Sequence, residues 1–222
     1  MNKNLHPINA VNQELVSYFV NKGFQLKTFD EIRTVDEEFN NVRIYENNPV
    51  RDFSRTFYLD DNHVLQAHMT AIREKLNKER SGKYIVPGRI YRVNKEKNNR
   101  SIMSHQLEGY VSDDSYTFKG INALINDSCR SLEIDEKLLC HTVDFTRFTS
   151  PTIQYYCKCH ICGGKGCELC EEKGTICFAA AGVESESWDE TKRKIQLSFC
   201  LSVDRLAMIK YKYNDMRRLY EG

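Results

Sequence analysis

Apolar residues recur at intervals of three or four near the start of the chain: Ile8, Val11, Leu15 and Phe19. This spacing predicts an amphipathic helix, with Pro7 in its first turn and Gly23 just beyond its end. Comparable patterns predict helices over 70–80, 118–132 and 202–220. The stretch 33–56 is polar and weakly periodic, so we expect connecting segments there with one short helix.

Alternating and β-branched stretches predict strands between these helices. They lie at 24–28, 84–86, 89–93, 105–112, 141–145, 152–157 and 175–183, with a hairpin of 56–59 and 63–67. Strands dominate the middle of the chain without regular β-α-β alternation, which favours an α+β class with an antiparallel sheet flanked by helices. We expect one domain over 1–222.

Composition narrows the class of protein. The chain has 222 residues, 41% hydrophobic and 28% charged, with a formal net charge of +1. That balance excludes a chain-wide basic surface for nucleic acid. No run approaches the ~20 apolar residues that span a bilayer, and no secretory signal is evident, so we expect a cytoplasmic protein. We expect the four isolated cysteines to be small buried side chains: Cys129, Cys140, Cys177 and Cys200.

The other five cysteines cluster within 156–174: four form two CxxC pairs joined by a glycine-rich link, and Cys157 lies two residues before them. Four cysteine sulfurs suit a tetrahedral zinc ion, and a reducing compartment favours metal over disulfides. The expected ligands are Cys159, Cys162, Cys167 and Cys170. Four protein ligands leave no open position, so such a zinc would be structural. The alternative is a hairpin of reduced thiols without metal.

A second cluster of polar residues follows the strands within 88–114. Arg92 ends one strand, and Gln106 and Glu108, two residues apart, share a face of the next. Arginine binds phosphate with two hydrogen bonds, while Gln and Glu accept from an ammonium group, so the set suits a zwitterion and a phosphate. The alternative is a solvated hairpin. Arg205 is either a surface residue or a second guanidinium for a polyphosphate.

Several stretches occur in the order found in one enzyme family: HPIN, NPVRDFSRTFYL, LQAHMTAIRE, PGRIYR, HQLEGYVSDD, AAAGV and DRLAMIKY. Over about 6–220 the chain resembles the catalytic core of the phenylalanyl-tRNA synthetase alpha subunit, a class II aminoacyl-tRNA synthetase. The resemblance implies a six- or seven-stranded antiparallel sheet and a homodimer. It also implies activation of an amino acid by ATP and Mg²⁺. The cysteine cluster resembles one found in some bacterial alpha subunits.

The resemblance also implies roles for individual residues. Arg92 and Arg205 would be catalytic, gripping the phosphates. The implied ATP-binding set is Arg92, Asn94, Arg100, Ser104, Asp204 and Arg205. The implied amino-acid-binding set is His68, Thr70, Gln106, Glu108, Phe148, Ala180, Ala181 and Gly182.

The chain departs from the family pattern at substrate-facing positions. Asn94 stands where the family has Glu, Ser104 where a phenylalanine stacks on adenine, and Cys200 and Ser202 where glycines lie. The chain begins where the family core begins, so we expect no tRNA-contacting arm. A paralogue with altered chemistry is the leading interpretation, passing the acyl group to tRNA or another acceptor. The alternatives are a non-catalytic amino-acid-binding or regulatory protein, and an alpha subunit paired with a beta chain.

Overall fold

The computed structural model describes residues 5–77, 82–93, 96–113, 116–146, 148–185 and 197–220. In those ranges the helices are α1 (Pro7–Asn21), α2 (Val35–Glu38), α3 (Ile72–Asn77), α4 (Phe118–Ser131) and α5 (Val203–Tyr211). The strands are β1 (Gln25–Leu26), β2 (Ile32–Thr34), β3 (His63–Leu65), β4 (Lys83–Tyr91), β5 (Met103–Val111), β6 (Leu139–Asp144), β7 (Thr149–Lys158), β8 (Thr175–Glu184) and β9 (Leu197–Ser202). Over the same ranges, no helix combines the length and apolar character that crossing a membrane requires.

Seven strands form the central sheet, in the order β1-β4-β5-β9-β8-β7-β6. Short β1 runs parallel to β4, and every other neighbouring pair is antiparallel. Strands β2 and β3 form a separate antiparallel ribbon. The expected α+β class, with an antiparallel sheet flanked by helices, is confirmed.

Helices α1, α4 and α5 cover one face of this sheet. The predicted apolar stripe of α1 is buried, and Phe19 stacks on Phe199 of β9 with ring centroids 5.0 Å apart. The amphipathic helix predicted at 118–132 is α4, and its apolar residues join the same core. The opposite face carries α3 over β4 and β5, together with an open cavity.

Three local predictions need correction. The hairpin around 60–62 contains only one bridge, Tyr58 to Val64, because β3 pairs mainly with β2, in a stretch predicted to be a connection. The strands predicted at 84–86 and 89–93 are one continuous strand, β4. The predicted terminal helix stops at Tyr211, where Lys212 adopts a left-handed conformation and ends the hydrogen-bonding pattern.

Candidate active site

A cavity of about 770 Å³ opens beside the ends of β4, β5 and β9. Four guanidinium groups line it, from Arg55, Arg92, Arg100 and Arg205. Apolar side chains of Ile90, Ile102 and Met216 and polar ones of Ser104 and Gln106 complete much of the wall. Several cations beside an apolar surface suit a ligand with a planar ring and a polyanionic tail.

Backbone carbonyl groups hold two of these arginines in place. The Nε of Arg92 donates to the carbonyl of Ala67 at 2.8 Å, and a terminal nitrogen of Arg205 donates to the carbonyl of Cys177 at 2.8 Å. Burial lowers the pKa of both groups, yet a guanidinium stays charged at any physiological pH. Both therefore supply fixed positive charge at the cavity wall.

Glu108 lies on β5 next to this cavity, two residues from Gln106 and on the same face of the strand. It pairs across the sheet with Cys200 of β9, whose thiol is hydrogen-bonded to its carboxyl group. Burial raises the pKa of Glu108 to about 7, against the lowering effects of the Cys200 hydrogen bond and the charge of Arg92. The carboxyl group can therefore gain or lose its proton near neutral pH. Cys200 is not the inert apolar side chain expected from sequence.

Of the three small residues in the expected amino-acid-binding set, Ala180, Ala181 and Gly182, only two lie on the face of Glu108. Ala180 pairs with Cys200, whereas Ala181 pairs with Phe199 and is buried in the helix-covered core, so its expected role is wrong. Gly182 lies on the correct face but beneath β7. A Cβ there would lie 2.5 Å from the Cβ of Thr149, so Gly182 provides room for β7.

His68 follows Ala67, whose carbonyl holds Arg92, and lies against Glu38, which the sequence did not single out. The Oε1 of Glu38 accepts from the backbone nitrogens of Ala67 and His68 at 2.7 and 2.9 Å. Burial raises the pKa of Glu38 to about 8 and lowers that of His68 to about 3. Both groups are therefore neutral near pH 7, and their 3.7 Å separation is no ion pair.

Thr70 and Phe148 belong to the surroundings of this site. Thr70 precedes α3, and its carbonyl accepts from the backbone nitrogen of Arg73 at 3.2 Å. Phe148 packs against the apolar cluster that contains Phe39 and Val64, and the Phe39 ring of that cluster lies 6.1 Å from the His68 ring. Their contacts place both residues on the side of the sheet that carries His68.

One described residue of the expected ATP-binding set, Asp204, does not line the cavity. Asp204 is fully buried, and its carboxylate accepts from the backbone nitrogen of His105 and, at 2.5 Å, from the hydroxyl of Tyr220. The expectation that Asp204 binds ATP is wrong because this carboxylate is committed to joining β5 to the C-terminal segment. Asn94 lies outside the described residues.

A buried ion pair joins helix α3 to the end of strand β8. Arg73 of α3 contacts Glu184 at the end of β8, and both side chains are almost fully buried. Each needs the other because an unpaired charge would lie in a medium of low polarity. No sequence motif marks this pair, since 110 residues separate its members along the chain.

The four clustered cysteines come together after β7. Their sulfurs all lie within 4.8 Å of one another, with Cys159 to Cys167 at 3.7 Å and Cys162 to Cys170 at 3.8 Å. A Zn–S bond of about 2.3 Å places sulfurs about 3.8 Å apart in a regular tetrahedron, so the cluster fits zinc. The backbone nitrogens of Cys167 and Gly174 also point at the Cys170 sulfur, as they would toward a thiolate.

Comparisons with known proteins agree with this geometry. The family model "tRNA synthetases class II core domain (F)" matches residues 1–222. The phenylalanine–tRNA ligase alpha subunit of Syntrophus aciditrophicus is 30% identical over 225 residues, covering 98% of this chain and 66% of that protein. That of Citrifermentans bemidjiense is 32% identical over 227 residues, with the same coverage. The chain thus spans slightly under two thirds of the length of these relatives.

One solved structure shows the fold alone. The pyrrolysyl-tRNA synthetase from Desulfitobacterium hafniense superposes with a TM-score of 0.77 at 14% identity, covering 100% of this chain and 76% of that one. The resemblance stated from the sequence motifs is confirmed. Because the family model spans the entire sequence, the chain belongs to the family of class II tRNA synthetase core domains.

Proposed function

We propose that this protein activates an amino acid with ATP to form an aminoacyl adenylate, and passes the acyl group to tRNA or another acceptor. The observation that carries the proposal is the convergence of Arg92 and Arg205 on one cavity beside Glu108. Phosphates would lie against the arginines and the substrate ammonium group against Gln106 and Glu108. The apolar wall near Ile102 and Met216 would take the adenine.

The reaction needs no covalent intermediate on the protein. A carboxylate oxygen of the amino acid attacks the α-phosphorus of ATP, and the bond from that phosphorus to the bridging oxygen breaks as pyrophosphate leaves. The negative charge of the transition state lies at the cavity wall, where Arg92 and Arg205 are already fixed by their carbonyl contacts. Mg²⁺ bound to the phosphates would neutralise part of that charge.

Other parts of the proposal concern assembly. Cys159, Cys162, Cys167 and Cys170 would hold structural zinc, within one catalytic domain over 1–222 that carries the knuckle 156–174. We propose a cytoplasmic homodimer, for which light scattering in solution would give the mass. The curated relatives named above are phenylalanine–tRNA ligase alpha subunits, so phenylalanine is the first substrate to test.

Two observations favour a second function. Cys200 already donates to Glu108, the group expected to accept from the substrate ammonium. Ser104 also leaves the cavity without the aromatic side chain expected over adenine. An amino-acid-binding or regulatory protein without chemistry would tolerate both changes. Calorimetry showing amino acid binding without ATP binding would favour this function.

Amino-acid-dependent exchange of pyrophosphate into ATP, screened over all amino acids, tests the leading proposal. We expect exchange with at least one amino acid, reduced about 10²–10³-fold in Arg92→Ala. Arg130→Ala is the matched control, because Arg130 lies exposed on α4 and pairs with Glu136 on the far side of the sheet. Absence of exchange with every amino acid would contradict the enzymatic function.

A further inference from the structure

The cysteine knuckle touches the loop that carries Arg100. We call residues 96–101 the cavity loop, since several of them line the cavity. Glu171, directly after Cys170, contacts Lys97 at 2.8 Å and Arg100 at 3.1 Å. The side-chain nitrogen of Asn99 donates to the carbonyl of Leu169 at 2.8 Å. Three contacts therefore join the cavity loop to the knuckle, although the two segments are distant in sequence.

The contacting knuckle residues are those that the cysteine cluster fixes. Leu169 lies between Cys167 and Cys170, and its side chain is buried. The short 3-10 turn Glu168–Cys170 ends at Glu171, whose left-handed backbone (φ 51°) turns its side chain out of the knuckle. A metal bound to Cys167 and Cys170 would restrict this turn, and with it the carboxylate of Glu171.

The same hairpin reaches the second phosphate-binding candidate. Strand β8 leaves the knuckle at Thr175, and two residues later the carbonyl of Cys177 accepts from Arg205. The charge of Glu171 also acts on Arg205, alongside that of Arg100. One short hairpin thus contacts Arg100 through a side chain and Arg205 through its backbone.

We propose that metal binding at the knuckle orders the cavity loop through Glu171, and so raises the affinity of the cavity for ATP. Glu171 is a positioning residue: it holds Arg100 at the cavity wall, and Lys97 in the same loop, without touching the substrate. The ATP part of this inference rests on the proposed function, whereas the effect on the loop does not. Because coupling between two binding sites is reciprocal, ATP must also raise the affinity of the knuckle for metal by the same factor.

The cavity loop has a second anchor that does not involve the knuckle. The backbone nitrogen of Met216 donates to the carbonyl of Asn98 at 2.7 Å. Loss of the Glu171 contacts therefore loosens the loop without releasing it. This sets the expected size of the coupling near the low end of the usual range, about fivefold in affinity.

The test uses the full chain in zinc-loaded and zinc-stripped forms, the latter desalted after chelation and supplied with excess Mg²⁺. Hydrogen exchange of 96–101 is followed without nucleotide, and ATP binding by calorimetry. Glu171→Gln removes the charge and keeps the shape. Glu172→Gln is the matched control, because Glu172 is exposed, carries the same charge and has a similar left-handed backbone (φ 61°). Circular dichroism and zinc content establish that each form is folded and loaded as intended.

Stripping zinc from the wild type should speed exchange at 96–101 and weaken ATP about fivefold. Zinc-loaded Glu171→Gln should show both changes, with little further effect of stripping, while Glu172→Gln matches the wild type. Unchanged exchange at 96–101 in both zinc-stripped wild type and zinc-loaded Glu171→Gln would overturn the inference. Tighter ATP binding by Glu171→Gln would also overturn it, because Glu171 would then compete with phosphate for Arg100. Metal-dependent exchange in a protein that binds no ATP would support the coupling and contradict the proposed function.

Discussion

The two faces of the central sheet bury different kinds of side chain: apolar ones on the helix-covered face, and several ionisable ones on the cavity face. On the helix-covered face, Phe199 crosses directly over Gly109, where a Cβ would lie 1.9 Å from the ring. Phe19 of α1 also stacks on Phe199, so apolar side chains of helix and sheet are in direct contact there. On the cavity face, by contrast, the buried side chains include Arg73, Glu184 and Glu38.

The difference shows that the cavity face contributes less to the stability of the protein than the helix-covered face does. Apolar packing such as that around Phe199 gains free energy from every buried group. Buried ionisable groups cost free energy unless each has a partner, and a pair of them often contributes less than two apolar side chains would. The cavity face keeps them because a site for a zwitterion and a polyphosphate needs fixed charges in a dry environment.

Breaking the buried ion pair should give the largest loss of stability. In Arg73→Met the side chain keeps much of its volume, but buried Glu184 loses its ion-pair partner Arg73. We expect the free energy of unfolding to fall by about 3–5 kcal/mol, measured by urea denaturation at pH 7.

Lys75→Met is the matched control on the same helix. Lys75 contacts Glu37 at 2.8 Å, but both side chains are about one-third exposed, so the loss should be below about 1 kcal/mol. Equal losses in the two variants would show that burial of the Arg73–Glu184 pair does not set its cost.

The helix-covered face was the more predictable of the two. Periodicity alone gave α1 and α4 nearly to their ends, because each must bury one stripe against the sheet. The strand-like pattern gave the sheet residues, but not that β4 is continuous or that β3 pairs with β2. Strand partners depend on long-range register, which a local pattern does not contain.

The cavity face was predictable only where a motif marks it. Family motifs pointed to Arg92, Arg205 and Gln106, and the structure places all three at one cavity. Glu38 and the Arg73–Glu184 pair were missed because their partners come from distant segments. Asp204 was misassigned because position next to Arg205 says nothing about which way a carboxylate turns.

The buried carboxyl groups also predict how stability depends on pH. Folded Glu38, with its pKa near 8, keeps a proton that the unfolded chain releases near pH 4.5, and Glu108 behaves likewise up to about pH 7. His68 acts in the opposite sense, but only below pH 6.5. Stability should therefore fall by about 1–2 kcal/mol between pH 6.5 and 8, measured by urea denaturation.

Glu38→Gln tests the source of that fall. The amide oxygen can accept the same two backbone N–H groups, but it does not titrate. The fall between pH 7 and 8 should largely disappear in this variant and persist in the exposed control Glu46→Gln. A fall that is the same in both variants would rule out Glu38 as its cause.

The smallest expected effect comes from replacing one cysteine on each face of the sheet, Cys200 and Cys129. Cys200→Gly removes the thiol that donates to Glu108, so the carboxyl group is left to accept from a substrate ammonium group. One hydrogen bond is worth about 0.5–1.5 kcal/mol, so the activated amino acid should bind about threefold to tenfold more tightly by calorimetry. Cys129→Gly, buried among the helices, should leave affinity unchanged and lower the free energy of unfolding. Weaker binding in Cys200→Gly would mean that the thiol itself forms part of the substrate-binding surface, because the glycine would then have removed a contact and not a competitor.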